Sequence, residues 1–191
     1  MDSKCDTQNE FPKLEGPYFG QEPPGLTPEI FAPAIVSIKG RDEKGISFSP
    51  DLTEIYFSAN KKGEETAIYF SKLESEKWTP VKKVNFTKGK KAAEMYPFVS
   101  FSGDKIYFSV HDSGFTDNKI WTVNRVGNTW SKAKKLNSPI NNDEVFFLNQ
   151  AKNGDLFYTN ILNTNMYYAA NQNGQYPEVK KVELESAGHH G

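Results

Sequence analysis

Cysteine is all but missing from this chain: Cys5 is the only one among 191 residues. Its scarcity excludes an internal disulfide and a cysteine-built zinc site. Charge of one sign is also lacking, because 23 basic residues stand against 24 acidic ones. No global field therefore draws the chain to nucleic acid or to an anionic membrane. No apolar run approaches the ~20 residues that a membrane-spanning helix requires. Met1-Asp2-Ser3-Lys4 carries none of the apolar core of a signal peptide. Taken literally, such a chain is cytoplasmic. A second reading has a leader removed and Cys5 as the lipidated first residue of an exported lipoprotein. Gly-x-Ser-x-Gly, a phosphate-binding glycine loop and a dinucleotide fingerprint are all missing, which removes the commonest local signatures of catalysis.

What is plentiful is aromatic: 14 Phe, 9 Tyr and 3 Trp, 14% of the residues, a bias toward strands. The length suits one domain with a real core. Residues 1 to about 30 have no clear periodicity, and Pro12, Pro17, Pro23, Pro24, Pro28 and Pro33 forbid a regular helix or central strand. Phe11, Leu14, Tyr18, Phe19, Leu26, Ile30 and Phe31 are too many apolar residues for a free tail. Residues 1–40 therefore read as an extended arm packed on the body. Thr27-Pro28 is expected to open one helical turn, and Ile35–Ile38 to form a short strand.

From residue 41 onward a repeat dominates. Its core, Phe48-Ser49-Pro50-Asp51-Leu52-Thr53-Glu54-Ile55-Tyr56-Phe57-Ser58, returns at Val99–Ser109 and again at Asn149–Thr159. Successive units start at Glu43, Glu94 and Glu144, spaced 51 and 50 residues apart. Each holds a strand from that glutamate, a partner from Ile55, Ile106 or Leu156, and a third at Ile68–Phe70, Ile120–Val123 or Met166–Tyr168. An aromatic (Trp78, Trp130 or Tyr176) then opens a fourth strand, at Val81–Val84, Ala133–Leu136 or Val179–Val182. Gly103-Asp104 and Asn153-Gly154-Asp155 supply turns with positive φ. Four short strands per unit make a β-propeller blade. The continuous apolar triplets Ile55-Tyr56-Phe57 and Ile106-Tyr107-Phe108 suit sheets covered on both faces.

The expected fold is all-β: blades at 43–93, 94–143 and 144–188, with the start of a next unit at 189–191. Three units fall short of the four to eight blades of a closed propeller, so the propeller is read as incomplete, truncated or closed through another chain. An open stack exposes the apolar face of a terminal blade and favours self-association. The outermost strands carry Lys82-Lys83, Lys134-Lys135 and Lys180-Lys181, charges that deter edge-to-edge pairing; a basic binding stripe is the lesser reading.

Phe48-Ser49-Pro50-Asp51 and the Ile-x-Phe ends of the repeat resemble the WD-type repeat of the TolB-like propeller family. That family's hallmark is Phe-Ser-Pro-Asp-Gly-x-x-Ile-x-Phe, and Leu52 stands where it prefers glycine. Leu14–Gln21 and Pro23–Pro33 look like the arm of a bacterial, mostly exported subgroup. The resemblance implies a propeller fold and a periplasmic or cell-surface setting, and it leaves function open, since propellers bind, scaffold and catalyse.

The candidate site is Glu43, Glu94 and Glu144, with His189 near the place of a fourth glutamate. First strands line a propeller's channel, so these side chains would ring one mouth and bind calcium, a cationic ligand or a hydroxyl-rich one. Alternatively each glutamate accepts hydrogen bonds from the neighbouring blade's backbone, and recurrence in every unit favours this reading. His111-Asp112 is a His–carboxylate pair able to do acid/base work, against a lone loop histidine. His189-His190 lacks metal-ligand spacing. Asp112, Asp117 and Asn118 miss the calcium-loop pattern. Tyr18, Phe115, Tyr167 and Tyr176 are candidates to stack on a sugar, against core roles. The leading expectation is a non-catalytic module with no cofactor, binding a protein, small molecule or glycan at the channel mouth. The alternative is a hydrolase of glycans or peptides that uses two channel carboxylates.

Overall fold

The computed structural model describes residues 14–183, so Cys5, His189 and His190 lie outside the described residues. It is all-β, three antiparallel sheets in chain order, consistent with an incomplete propeller. The first blade comprises β1 (Arg41–Phe48), β2 (Glu54–Lys61), β3 (Ala67–Glu74), β4 (Lys77–Trp78) and β5 (Lys82–Lys83). The second comprises β6 (Ala93–Val99), β7 (Lys105–Asp112), β8 (Thr116–Val126), β9 (Thr129–Trp130) and β10 (Lys134–Lys135). The third comprises β11 (Val145–Gln150), β12 (Leu156–Asn160), β13 (Asn165–Ala169) and β14 (Lys180–Lys181).

The innermost strands start where the glutamates do, within two residues: β1 begins at Arg41 and β11 at Val145, just past Glu144. Two expectations for the outer rim need correction. Trp78 and Trp130 do not open the fourth strand; they fold back in tight ladders with Leu73 and Arg125. The fourth strand itself shrinks to the lysine pair. It is fastened in each blade by one equivalent bond, from Val84, Leu136 and Val182 N–H to the carbonyls of Ile68, Ile120 and Met166.

Alternation along the second strand of each blade decides what covers each face. Ile106, Phe108 and Val110 pack back on Tyr56 and Ile68 of the first blade. Leu156 and Tyr158 pack back on Tyr107 and Ile120 of the second. The forward-facing Tyr56 and Tyr107 are each 1% exposed because the next blade covers them. Their equivalent in the third blade is Phe157, which lies against Tyr168 at 5.4 Å and is only partly buried. Met166 is half-buried where Ile68 and Ile120 are wholly buried.

The backward face of the first blade is closed by the arm. Phe19, Ala32 and Val36 join Ile55, Phe57, Ala59 and Trp78 in one cluster. Phe19 stacks on Trp78 at 4.3 Å, and the indole N–H donates to the Gly16 carbonyl at 2.8 Å. The arm is thus a packed element, but its internal structure differs from expectation. The single turn lies at Pro17–Gly20, and Tyr18 and Phe19 in it have left-handed φ. No helical turn forms at Thr27-Pro28. There the Gln21 side chain takes the Ala32 N–H and donates to the Ile30 carbonyl, groups that a turn would have used. Ile35–Ile38 is not a strand either: the amides of Ile35, Val36 and Ser37 all converge on the Ala32 carbonyl, which curls the chain.

Candidate functional site at the channel mouth

Each of the three glutamates reaches backward, to the unit before its own. Glu43 Oε1 accepts from the Ile38 N–H at 3.2 Å and from Arg41 Nε at 2.7 Å. Arg41 in turn donates to the Val36 carbonyl and lies over the Phe57 and Tyr69 rings, so the pair ties the arm to the first blade. Glu94 is buried. Its two oxygens accept the Phe86 N–H at 3.0 Å and the Thr87 N–H at 2.7 Å, with the Thr87 hydroxyl at 2.6 Å. Glu144 Oε2 accepts both the backbone and side-chain N–H groups of Asn118 at 2.7 Å, and Lys119 Nζ stands 3.6 Å from Oε1. Charge-assisted bonds of this kind are stronger than neutral ones, and each joins two successive units.

The other polar candidates separate. The Asp112 carboxylate does not meet His111; it pairs with Lys91 Nζ at 3.0 Å, and Asp117 bonds the same ammonium. Burial pulls Lys91 down, but those two carboxylates outweigh it and raise its pKa. The hydrogen bond from Lys91 holds the Asp117 carboxyl below its usual value. A lysine thus sits where a loop cation would, and Asn118 turns away to Glu144. The buried His111 places Nδ1 2.8 Å from the Asp112 carbonyl and Nε2 3.8 Å from Glu65. Among the described residues, no group of three His, Cys, Asp or Glu side chains is placed to hold a metal ion.

Of the four aromatics singled out for stacking, Tyr167 and Tyr176 belong to the core between the second and third blades. Tyr18 packs edge-on against Phe48 in the arm. Phe115 is 49% exposed, 5.0 Å from both His111 and Phe146.

Sequence reasoning missed a feature shared by the first strands of all three blades. Each innermost strand carries a bulge just past its glutamate. The bulges hold Gly45, Tyr96 and Phe147, spaced 51 residues apart, with φ of 56°, 52° and 53°. Left-handed backbone costs glycine nothing but makes a bulky residue an outlier. Glycine is required at position 45, where a Cβ would stand 2.8 Å from Cδ1 of the Tyr96 ring. The Tyr96 ring lies 4.4 Å from that of Phe147, and Phe146 and Phe115 continue the surface. Burial pushes the Tyr96 phenol up. The Tyr96 N–H is anchored across the blade boundary to Ser58 Oγ at 2.6 Å. The result is an aromatic row beside the glutamates, with Phe115 exposed, Phe146 buried, and Tyr96 and Phe147 partly buried between blades. The equal spacing of Gly45, Tyr96 and Phe147 was the one signal that could have disclosed it.

No protein-family model and no curated protein sequence matches the chain. Solved structures do. A structure from a study of two prolyl endopeptidases matches 76% of this chain with a TM-score of 0.51 at 20% identity. TolB from Acinetobacter baumannii matches 75% with a TM-score of 0.50 at 16% identity. Both likenesses show the propeller fold. This chain spans 20% of the first neighbour's length and 33% of the second's.

Proposed function

We propose that this protein is a non-catalytic propeller module that binds its ligand at the channel mouth, on the aromatic row beside Glu43, Glu94 and Glu144. The observation that carries this reading is the pair of aromatics in left-handed backbone. Glycine fills the same bulge in the first blade, so the architecture itself does not demand Tyr96 or Phe147 there. Strain of about 1–3 kcal/mol per residue is retained where it serves a site. Aromatic faces flanked by a few polar groups are the usual lining of small-ligand sites. The glutamates act chiefly as staples between units, and their occupied oxygens support the scaffold over the hydrolase. A ring with an apolar face, as in a glycan, fits the exposed aromatic surface at Phe115. An exported setting follows the resemblance to exported propellers and belongs to the same proposal.

The double substitution Tyr96→Gly/Phe147→Gly tests it. Thermal unfolding should stay within a few degrees of the parent, because relieved strain offsets lost packing. Calorimetric titration with soluble chito- and cello-oligosaccharides should show binding by the parent and none by the variant. A variant that unfolds far earlier, or that binds as the parent does, would assign these aromatics to packing alone.

A further inference from the structure

A partly open cavity of about 620 Å³, within the range of small-molecule sites, lies between the arm and the first blade, away from Glu43, Glu94 and Glu144. Its floor is Tyr18, Phe31, Ile46 and Phe48. Tyr18 and Phe31 both meet Phe48 edge-on, at 5.4 and 6.0 Å, and all three rings line the cavity. Ile46 is 49% exposed: the Gly45 bulge breaks the pleat beside it, and the space over its side chain is this cavity.

The opposite wall is the loop from Gln21 to Phe31, and it is pre-formed. Gln21 grips the far end of the loop through Ile30 and Ala32, and Pro23, Pro24 and Pro28 limit its freedom. Little ordering entropy is left for a ligand to overcome. Among the described residues that line the cavity, the charged ones are Glu22 and Glu29, both exposed, and none is a lysine or arginine. Aromatic rings and carboxylates both attract a cation that carries an apolar body.

We propose that this cavity is a binding site for a compact aromatic amine, its ring on Ile46 and Phe48 and its ammonium at Glu22 and Glu29. The full chain, labelled with ¹³C at isoleucine and leucine methyl groups, is titrated with phenethylamine and with the neutral 2-phenylethanol. The amine should saturate the Ile46 and Leu26 methyl shifts at a concentration about tenfold lower than the alcohol. Glu22→Gln/Glu29→Gln should narrow that preference to about twofold. Ile46→Lys, at an exposed position, should weaken the amine at least about tenfold while the remaining methyl spectrum keeps the fold. Equal binding of amine and alcohol by the parent, unaltered amine binding by Ile46→Lys, or no methyl shift with either probe would each overturn the proposal.

Discussion

Leu52 occupies a left-handed turn position, φ 60°, that Gly103 and Gly154 fill in the other two blades. All three donate N–H to the residue three back, so the turn is the same and only the side chain differs. Left-handed backbone costs a residue with a Cβ about 1–2 kcal/mol, against which glycine loses about 0.5–1 kcal/mol of entropy. Leu52→Gly should therefore raise stability by about 0.5–1 kcal/mol in urea unfolding. A few positions on, Asp104 accepts the Ser102 and Ser100 hydroxyls, and those bonds hold its carboxyl below the ordinary value of 3.8. Asp51 is lowered likewise, first by Ser49 and then by Thr53. A folded pKa below the unfolded one stabilises the protein above the unfolded value, and that gain is lost as pH falls through the folded value. NMR titration should place both carboxyls below 3.8, and Ser102→Ala should move Asp104 back up.

Between the first two blades, Arg125 grips Glu54 with both terminal nitrogens, at 3.0 and 2.6 Å, and stacks 3.9 Å from the Trp130 ring. Tyr56 completes the clasp, donating to Glu54 and accepting from the Trp130 indole. Glu54 is nearly buried, so Arg125→Met would strand a carboxylate and should cost about 3 kcal/mol. Glu54→Leu/Arg125→Met should recover most of that loss, and chemical denaturation of the parent and the two variants measures both. At the next boundary, Lys105 and Asn171 hold the equivalent places and Tyr176 replaces Trp130, so no such clasp forms. The strands were legible in the sequence because β-branched and aromatic residues recur with turn signals at a fixed period. The glutamate staples were legible for the same reason. The bulges were not, since Tyr96 and Phe147 obey strand propensity and only their backbone reveals them. The arm was legible as apolar and proline-rich, but its turns depend on a Gln21 side chain and one shared carbonyl, contacts without a sequence period.

Across the whole molecule, the unit count made an incomplete propeller readable from the spacing alone, and the two ends proved unlike. The arm covers the backward face of the first blade, which the repeat could not have shown. The forward face of the third keeps Phe157 and Met166 partly exposed, at positions that the next blade buries elsewhere. Apolar faces of this kind associate. The described residues thus form three blades in a row, with the arm on one end face and partly exposed apolar side chains on the other. Light scattering coupled with small-angle scattering across a concentration series, on the parent and on Phe157→Lys/Tyr168→Lys, tests this arrangement most directly. The parent should show a mass that rises with concentration, and the variant should stay a monomer. A compact parent monomer at every concentration, indistinguishable from the variant, would contradict it.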